Sequence, residues 1–271
     1  MAIEHIERIR DIMAAEPLSI SSVVGSGSYI VTGDDDVDVV VKEGATTRLM
    51  VATEGATTDI NIDVESGANL SIVHIVSERS ATNLSIALSE GALCRVTQVV
   101  ISASDSRVVA SLVGRGARFE LGGAFVLTDD DQAGVTVDVN HMTSECVSRT
   151  MVKGVASGRS HGSFSGLVYV APDAQRTDSE QSSRNITIGE ARIETLPQLE
   201  IYADDVKCSH GATVGQMDGE AIMYMRQRGL SLADARRLQI EGFVDDVVLH
   251  ASIDGLTEVL TELLAEKLHR L

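Results

Sequence analysis

A pair of small residues returns along the first half of this 271-residue chain, and its spacing limits the folds available. The pairs are Gly44-Ala45, Gly55-Ala56, Gly67-Ala68, Ser80-Ala81, Gly91-Ala92, Ser102-Ala103 and Gly116-Ala117, separated by 11 to 14 residues. Between them lie runs such as Thr58 to Val64 and Asn83 to Leu88, in which every second residue is apolar. That alternation describes a strand with one buried face. One short strand and a turn cannot bury such a face alone, so successive units must stack. Two units make one flattened coil, and the stack predicts a parallel β-helix of two facing sheets with Gly-Ala at the corners, where a larger residue is expected to clash with the next coil. A β-sandwich has a similar strand spacing, but the chain has only three prolines, and the repeat region lacks the Asn-Gly and Asp-Gly turns of hairpins.

Ahead of the repeats, Ile3, Ile6, Ile9, Ile12 and Met13 fall at helical spacing until Pro17. Beyond residue 130 the strand pattern continues through 135–139, 166–170 and 185–188. The end of the chain turns helical. A helix is expected from Met217 to Arg228, stopped by Gly229; a second begins at the capping box Ser231 to Asp234; a third starts at Asp254. The expected organisation is a helical segment over 1–29, a β-helix over 30–216 and a C-terminal helical subdomain over 217–271.

Composition excludes several functions. Net charge is −18 and aromatic residues make up 3% of the chain, which argues against nucleic acid and anionic membranes as partners. No run is long and apolar enough to span a bilayer and no signal-peptide core opens the sequence, so a cytoplasmic location is expected. A P-loop, a Gly-x-Ser-x-Gly elbow and a His-Glu-x-x-His motif are all missing, so no nucleotide should bind here. The acid runs at 34–36 and 129–131 read as solvated loops, and three widely spaced cysteines form no disulfide framework. Cys94 and Cys146 are expected to be buried. His5, His74, His250 and His269 read as structural or solvent-facing, and His141 and His161 as weak ligand candidates.

One segment concentrates reactive side chains. Between a strand and a helix, Cys208 and His210 stand two apart, so an extended backbone points both to one face, as half of an iron or zinc site. Glu200, Asp204 and Asp205 are expected to hold the imidazole, and Lys207 to lower the thiol pKa. A buried cysteine and a hydrogen-bonded histidine at a plain strand-to-helix corner is the other reading.

The residues from Ala171 to Asp178, with Gln181, 183–185, Pro197 to Gln216, Tyr224, Arg228-Gly229 and Ala235-Arg236, closely resemble the C-terminal half of the SufB/SufD family. These are scaffold components of the SUF iron–sulfur cluster assembly machinery, and the wording around Cys208 looks more like SufD. The resemblance implies a right-handed parallel β-helix and a non-catalytic scaffold that dimerises through that β-helix. It also implies a SufC-like ABC ATPase docked on the C-terminal helices through Arg228, Gly229, Leu230, Ala235, Arg236 and Phe243. His210 falls on the histidine used at the family's dimer interface, where a nascent, transient iron–sulfur cluster is thought to form. SufB's Thr-Gln-Cys appears here as Gln181-Ser182, and its His-Glu-Ala as His210-Gly211-Ala212. The chain's length resembles compact archaeal and anaerobe homologues. Two roles follow: a homodimer whose paired Cys208 and His210 hold a cluster, or a SufD-like structural partner in a heterodimer with a SufB-type chain. A carbohydrate-active β-helix enzyme is the reading outside the family.

Overall fold

The structure is a computed structural model and describes residues 2–33, 35–52, 57–77, 80–249, 253 and 255–268. One sheet has nine strands: β1 (Glu16–Pro17), β3 (Gly27–Thr32), β5 (Thr46–Ala52), β7 (Asn69–Val76), β9 (Leu93–Val100), β11 (Arg118–Leu127), β13 (Val147–Gly158), β15 (Asp178–Gly189) and β17 (Lys207–Gly215). The other has eight: β2 (Ser21–Val24), β4 (Val37–Val41), β6 (Thr57–Val64), β8 (Ala81–Leu88), β10 (Asp105–Leu112), β12 (Gln132–His141), β14 (His161–Val170) and β16 (Arg192–Ile201). Neighbouring strands in each sheet are two apart in sequence, and the ladders between them are parallel. Each coil thus gives one strand to each sheet. This is a flattened β-helix, and the sandwich reading is set aside because sandwiches pair strands antiparallel.

Alternation places one residue set inside the tube. Ile60, Ile62, Leu84, Ile86 and Val108 from the eight-stranded sheet meet Leu49, Ile72, Val96 and Leu121 from the nine-stranded one in a single buried cluster. The strands lengthen toward the C-terminal end, from 8 residues in β6 to β10 to 12 in β13 and β15.

The corners explain the repeat, though not through crowding. Gly44, Gly67, Gly91 and Gly116 sit at one corner with φ of 64 to 71°, and a Cβ there would meet nothing within 4 Å. Left-handed backbone, rather than the coil above, selects glycine. Each corner N–H donates to a carbonyl of the next coil, as in Gly67 to Glu90 (2.8 Å) and Gly91 to Arg115 (3.0 Å). The same position is filled further on by Glu145 and Arg176, both left-handed, which extend the ladder to Gln175 and Asp205. The following alanines, Ala68, Ala92 and Ala117, tuck inside. Ser80-Ala81 and Ser102-Ala103 mark the opposite corner; Gly55-Ala56 lies outside the described residues.

Helices cover one outer face only. Met50, Val73, Ile75, Val99, Val126 and Val155 of the nine-stranded sheet are buried beneath α1 (Ala2–Met13), α3 (Leu232–Leu249) and α4 (Leu256–Leu268). The C-terminal helices therefore share a core with the sheet and with the N-terminal helix. Lys153, on the sheet's outer face and almost fully buried, donates to the Phe243 carbonyl (2.7 Å) and to Asp246 (2.6 Å) of α3. Lys267 of α4 reaches Asp131 at 2.7 Å, and Asp130 pairs with Arg159, so the second acid run is tied down, not merely solvated. Half of the expected capping box forms: Ser231 Oγ accepts from the Asp234 N–H at 3.1 Å, while the Asp234 carboxylate accepts from the Ser231 hydroxyl at 2.6 Å. The shorter α2 (Gly219–Gln227) is capped by Asp218 and has no buried residue. Asp254, the expected start of the last helix, lies outside the described residues, as do His250 and His269.

Candidate functional site

Cys208 and His210 lie on β17, the last strand of the nine-stranded sheet. Register traces each one back through the interior of the tube. Cys208 ends the column Leu70, Cys94, Phe119, Ser148, Ser179; His210 ends Ile72, Val96, Leu121, Thr150, Gln181. Both side chains therefore share one face, and that face is the tube's interior at its open end. Cys208 is half-buried against a small cluster with Val168, Val170 and Leu199, whereas His210 is exposed.

The charged neighbours are arranged differently from the sequence expectation. Lys207 alternates to the outer face of β17, and the Cys208 thiol is pushed up, chiefly by burial and further by Asp178, with a backbone N–H of Ser179 opposing. The thiol is thus not activated by the lysine. Asp205 serves the corner: its N–H donates to Gln175 Oε1 at 2.9 Å and its carbonyl accepts from Arg176 N–H at 2.6 Å. Glu200 and Asp204 are exposed, and among the described residues no hydrogen bond or ion pair links these three acids to Cys208 or His210. Nor do the described residues contain a group of three or more His, Cys, Asp or Glu able to hold a metal ion. The donor set of one chain is a thiol and an imidazole, which suits iron but leaves it half-ligated.

Other candidates resolve into structure. Cys94 and Cys146 are buried, and burial raises both thiols. His141 is enclosed and bonds Ser148 Oγ through Nε2 at 2.9 Å; Ser148 in turn reaches Ser179 Oγ at 2.8 Å. His74 is enclosed beside Gln98, and His161 is at the surface 3.6 Å from Glu194. What sequence reasoning missed is the polar lining beneath the site: Ser179, Gln181, Ser183 and Asn185 all point inward. The alternation Ser-x-Gln-x-Ser-x-Asn was visible, but its polarity concealed that it is a core-facing strand.

At the C-terminal helices, Met223 and Tyr224 of α2 are exposed, and the Arg228 guanidinium stacks on the Tyr224 ring at 5.0 Å. Gly229, at φ 98°, ends the helix. Leu230 lines a shallow cleft with Met223, Arg226 and Leu232. Arg236 is exposed, while Ala235 is buried and Phe243 packs its ring under the Lys153 ammonium, so these last two support α3 from inside.

The fold is thus a two-sheeted parallel β-helix whose last strand bears a cysteine and a histidine, with helices laid over one sheet. The chain belongs to the family described as SUF system FeS cluster assembly, SufBD core domain, whose model matches residues 25–243. Among known relatives it is 39% identical to the iron-sulfur cluster assembly protein SufD of Escherichia coli over 131 residues, 48% of this chain and 31% of that protein. An iron-sulfur cluster assembly SufBD family protein of Synechocystis is 46% identical over 86 residues, 31% of this chain and 19% of its own length. One of Mycobacterium leprae is 27% identical over 268 residues, covering 93% of this chain and 68% of that protein. The matched region thus spans about a third or less of the first two relatives. No helix among the described residues is long and apolar enough to cross a membrane.

Proposed function

We propose that this chain is a non-catalytic scaffold that holds a nascent iron–sulfur cluster at the open end of its β-helix, between Cys208 and His210 of two subunits. The observation that carries this reading is the pair's position on an unpaired edge strand, facing into the tube mouth. A parallel ladder engages alternate residues. Because the Lys207 N–H is given to Thr177 of the previous coil, the amides of Cys208, His210, Ala212 and Val214 face outward from the sheet edge. A second copy related by a two-fold axis would pair with that edge and add its own thiol and imidazole, completing four ligands. The cluster is cargo, and the chain supplies ligands, a defined edge and a partly apolar wall of Val168 and Leu199.

The α2 surface, with Met223, Tyr224, Arg228 and Leu230 offered to solvent or to a shallow cleft, supports docking of a SufC-like ABC ATPase. Nucleotide hydrolysis would then belong to that partner. A second reading, a SufD-like subunit beside a separate SufB-type scaffold, is favoured by one feature: Ser182 stands where SufB carries a cysteine.

Anaerobic reconstitution with iron and sulfide tests the first reading. The wild type is expected to show the visible absorption of a cluster in a dimeric species, and Cys208→Ala and His210→Ala are each expected to lose it. A cluster that survives both substitutions rejects the first reading; none in the wild type alone, but one after adding a SufB-type chain, selects the second.

A further inference from the structure

Beside His210 on the adjacent strand lies an acceptor that none of the described residues uses. Gln181 is 1% exposed, is the register partner of His210 on the adjacent strand and faces the same interior. One end of its amide is fixed, since Nε2 donates to the Gly166 carbonyl of the facing sheet at 3.2 Å. Gly166 makes room for it, because a Cβ there would come within 2.6 Å of the amide oxygen. The other end, Oε1, is buried without a hydrogen-bond partner. Leaving such a buried acceptor unpaired is unfavourable, so it calls for a donor. Pro197, the register partner of Gly166, has no N–H to give.

We propose that Gln181 is a positioning residue for His210: its Oε1 accepts a ring N–H and leaves the lone pair of the other ring nitrogen facing the open end. Adjacent strands lie about 4.8 Å apart, and the exposed imidazole reaches the amide by rotating about its side-chain torsions. Histidines that bind metals are commonly held by such an acceptor, the role that Glu200, Asp204 and Asp205 do not fill. Its purpose rests on the cluster-holding reading above, but its test does not.

Long-range 15N–1H NMR of the metal-free protein reports the tautomer of His210. Wild type and Gln181→Glu, which keeps an acceptor, are expected to hold one tautomer. Gln181→Met, of similar length but without the acceptor, is expected to show the mixture of a free imidazole. Titration with Zn2+ alone is expected to give about 10-fold weaker binding in Gln181→Met than in the wild type. A tautomer mixture in the wild type overturns the proposal, even if a variant fails to fold, and so does one tautomer unchanged in Gln181→Met. A wild type that holds one tautomer through Gln181 yet takes up neither Zn2+ nor a cluster leaves the proposal standing and overturns only the cluster-holding reading.

Discussion

The imidazole of His74 is enclosed inside the tube, its Nδ1 paired with Gln98 Nε2 at 2.9 Å, and burial lowers its pKa from 6.5 to about 3. Burial likewise brings His141 down from 6.5 to about 4. Both stay neutral when folded and take up protons near 6.5 when unfolded. Their contribution is therefore complete above pH 6.5 and is lost as pH falls toward 4, at up to about 1.4 kcal/mol per pH unit for each. The urea midpoint is expected to be flat between pH 7 and 8 and to drop by pH 5.5; His74→Gln should start less stable at pH 7 and show a shallower fall. At the corners, Gly91→Ala places a side chain on left-handed backbone and is expected to cost about 1 kcal/mol in chemical denaturation. The recurrence of these corners was legible in the sequence. Their cause was not, because spacing does not distinguish a crowded glycine from a left-handed one, and Glu145 and Arg176 carry the same conformation without the glycine signal.

At the scale of elements, α3 is fastened to the nine-stranded sheet by Lys153, whose ammonium is nearly fully buried while its partner Asp246 is more than half exposed. Removing the two partners should therefore have unequal effects. Asp246→Ala leaves a buried ammonium with the Phe243 carbonyl and ring but no counter-charge from Asp246, whereas Lys153→Met removes the buried charge and returns the carboxylate to water. Asp246→Ala is expected to be the more destabilising by about 1–2 kcal/mol, read from melting and from faster amide exchange in the second half of α3. The helices themselves were legible from the period of their apolar residues and from Ser231 and Asp234. Their attachment was legible only in hindsight, in strands such as β5 and β11, where apolar residues stop alternating and become continuous. Burial on both faces produces that texture, but period-2 reasoning registers it as noise. The polar β15 was harder, since nothing in Ser179 to Asn185 marks a strand except its neighbours in the stack.

Taken whole, the molecule is a tube with one covered side and an unpaired strand at the end that bears Cys208 and His210. If that edge joins two copies, Ala212→Pro should abolish the dimer in sedimentation while leaving the circular dichroism intact, because the lost N–H points away from β15 and proline is tolerated on an edge. A variant that remains dimeric would show that the contact lies elsewhere. The pair on one strand face was legible in the sequence; the side chains around it were not, because strand spacing does not place Glu200, Asp204 and Asp205, which among the described residues make no hydrogen bond or ion pair to Cys208 or His210. The lining of the tube also changes along its length, from Leu70 and Ile72 through Phe119 and Leu121 to Ser179 and Gln181. Cohesion is therefore graded. The middle coils are held by apolar burial, while the last coil relies on hydrogen bonds that water can replace one at a time. Amide-exchange protection should decline toward β17, so that the tube can loosen around its cysteine and histidine and close again while the remaining coils keep their fold.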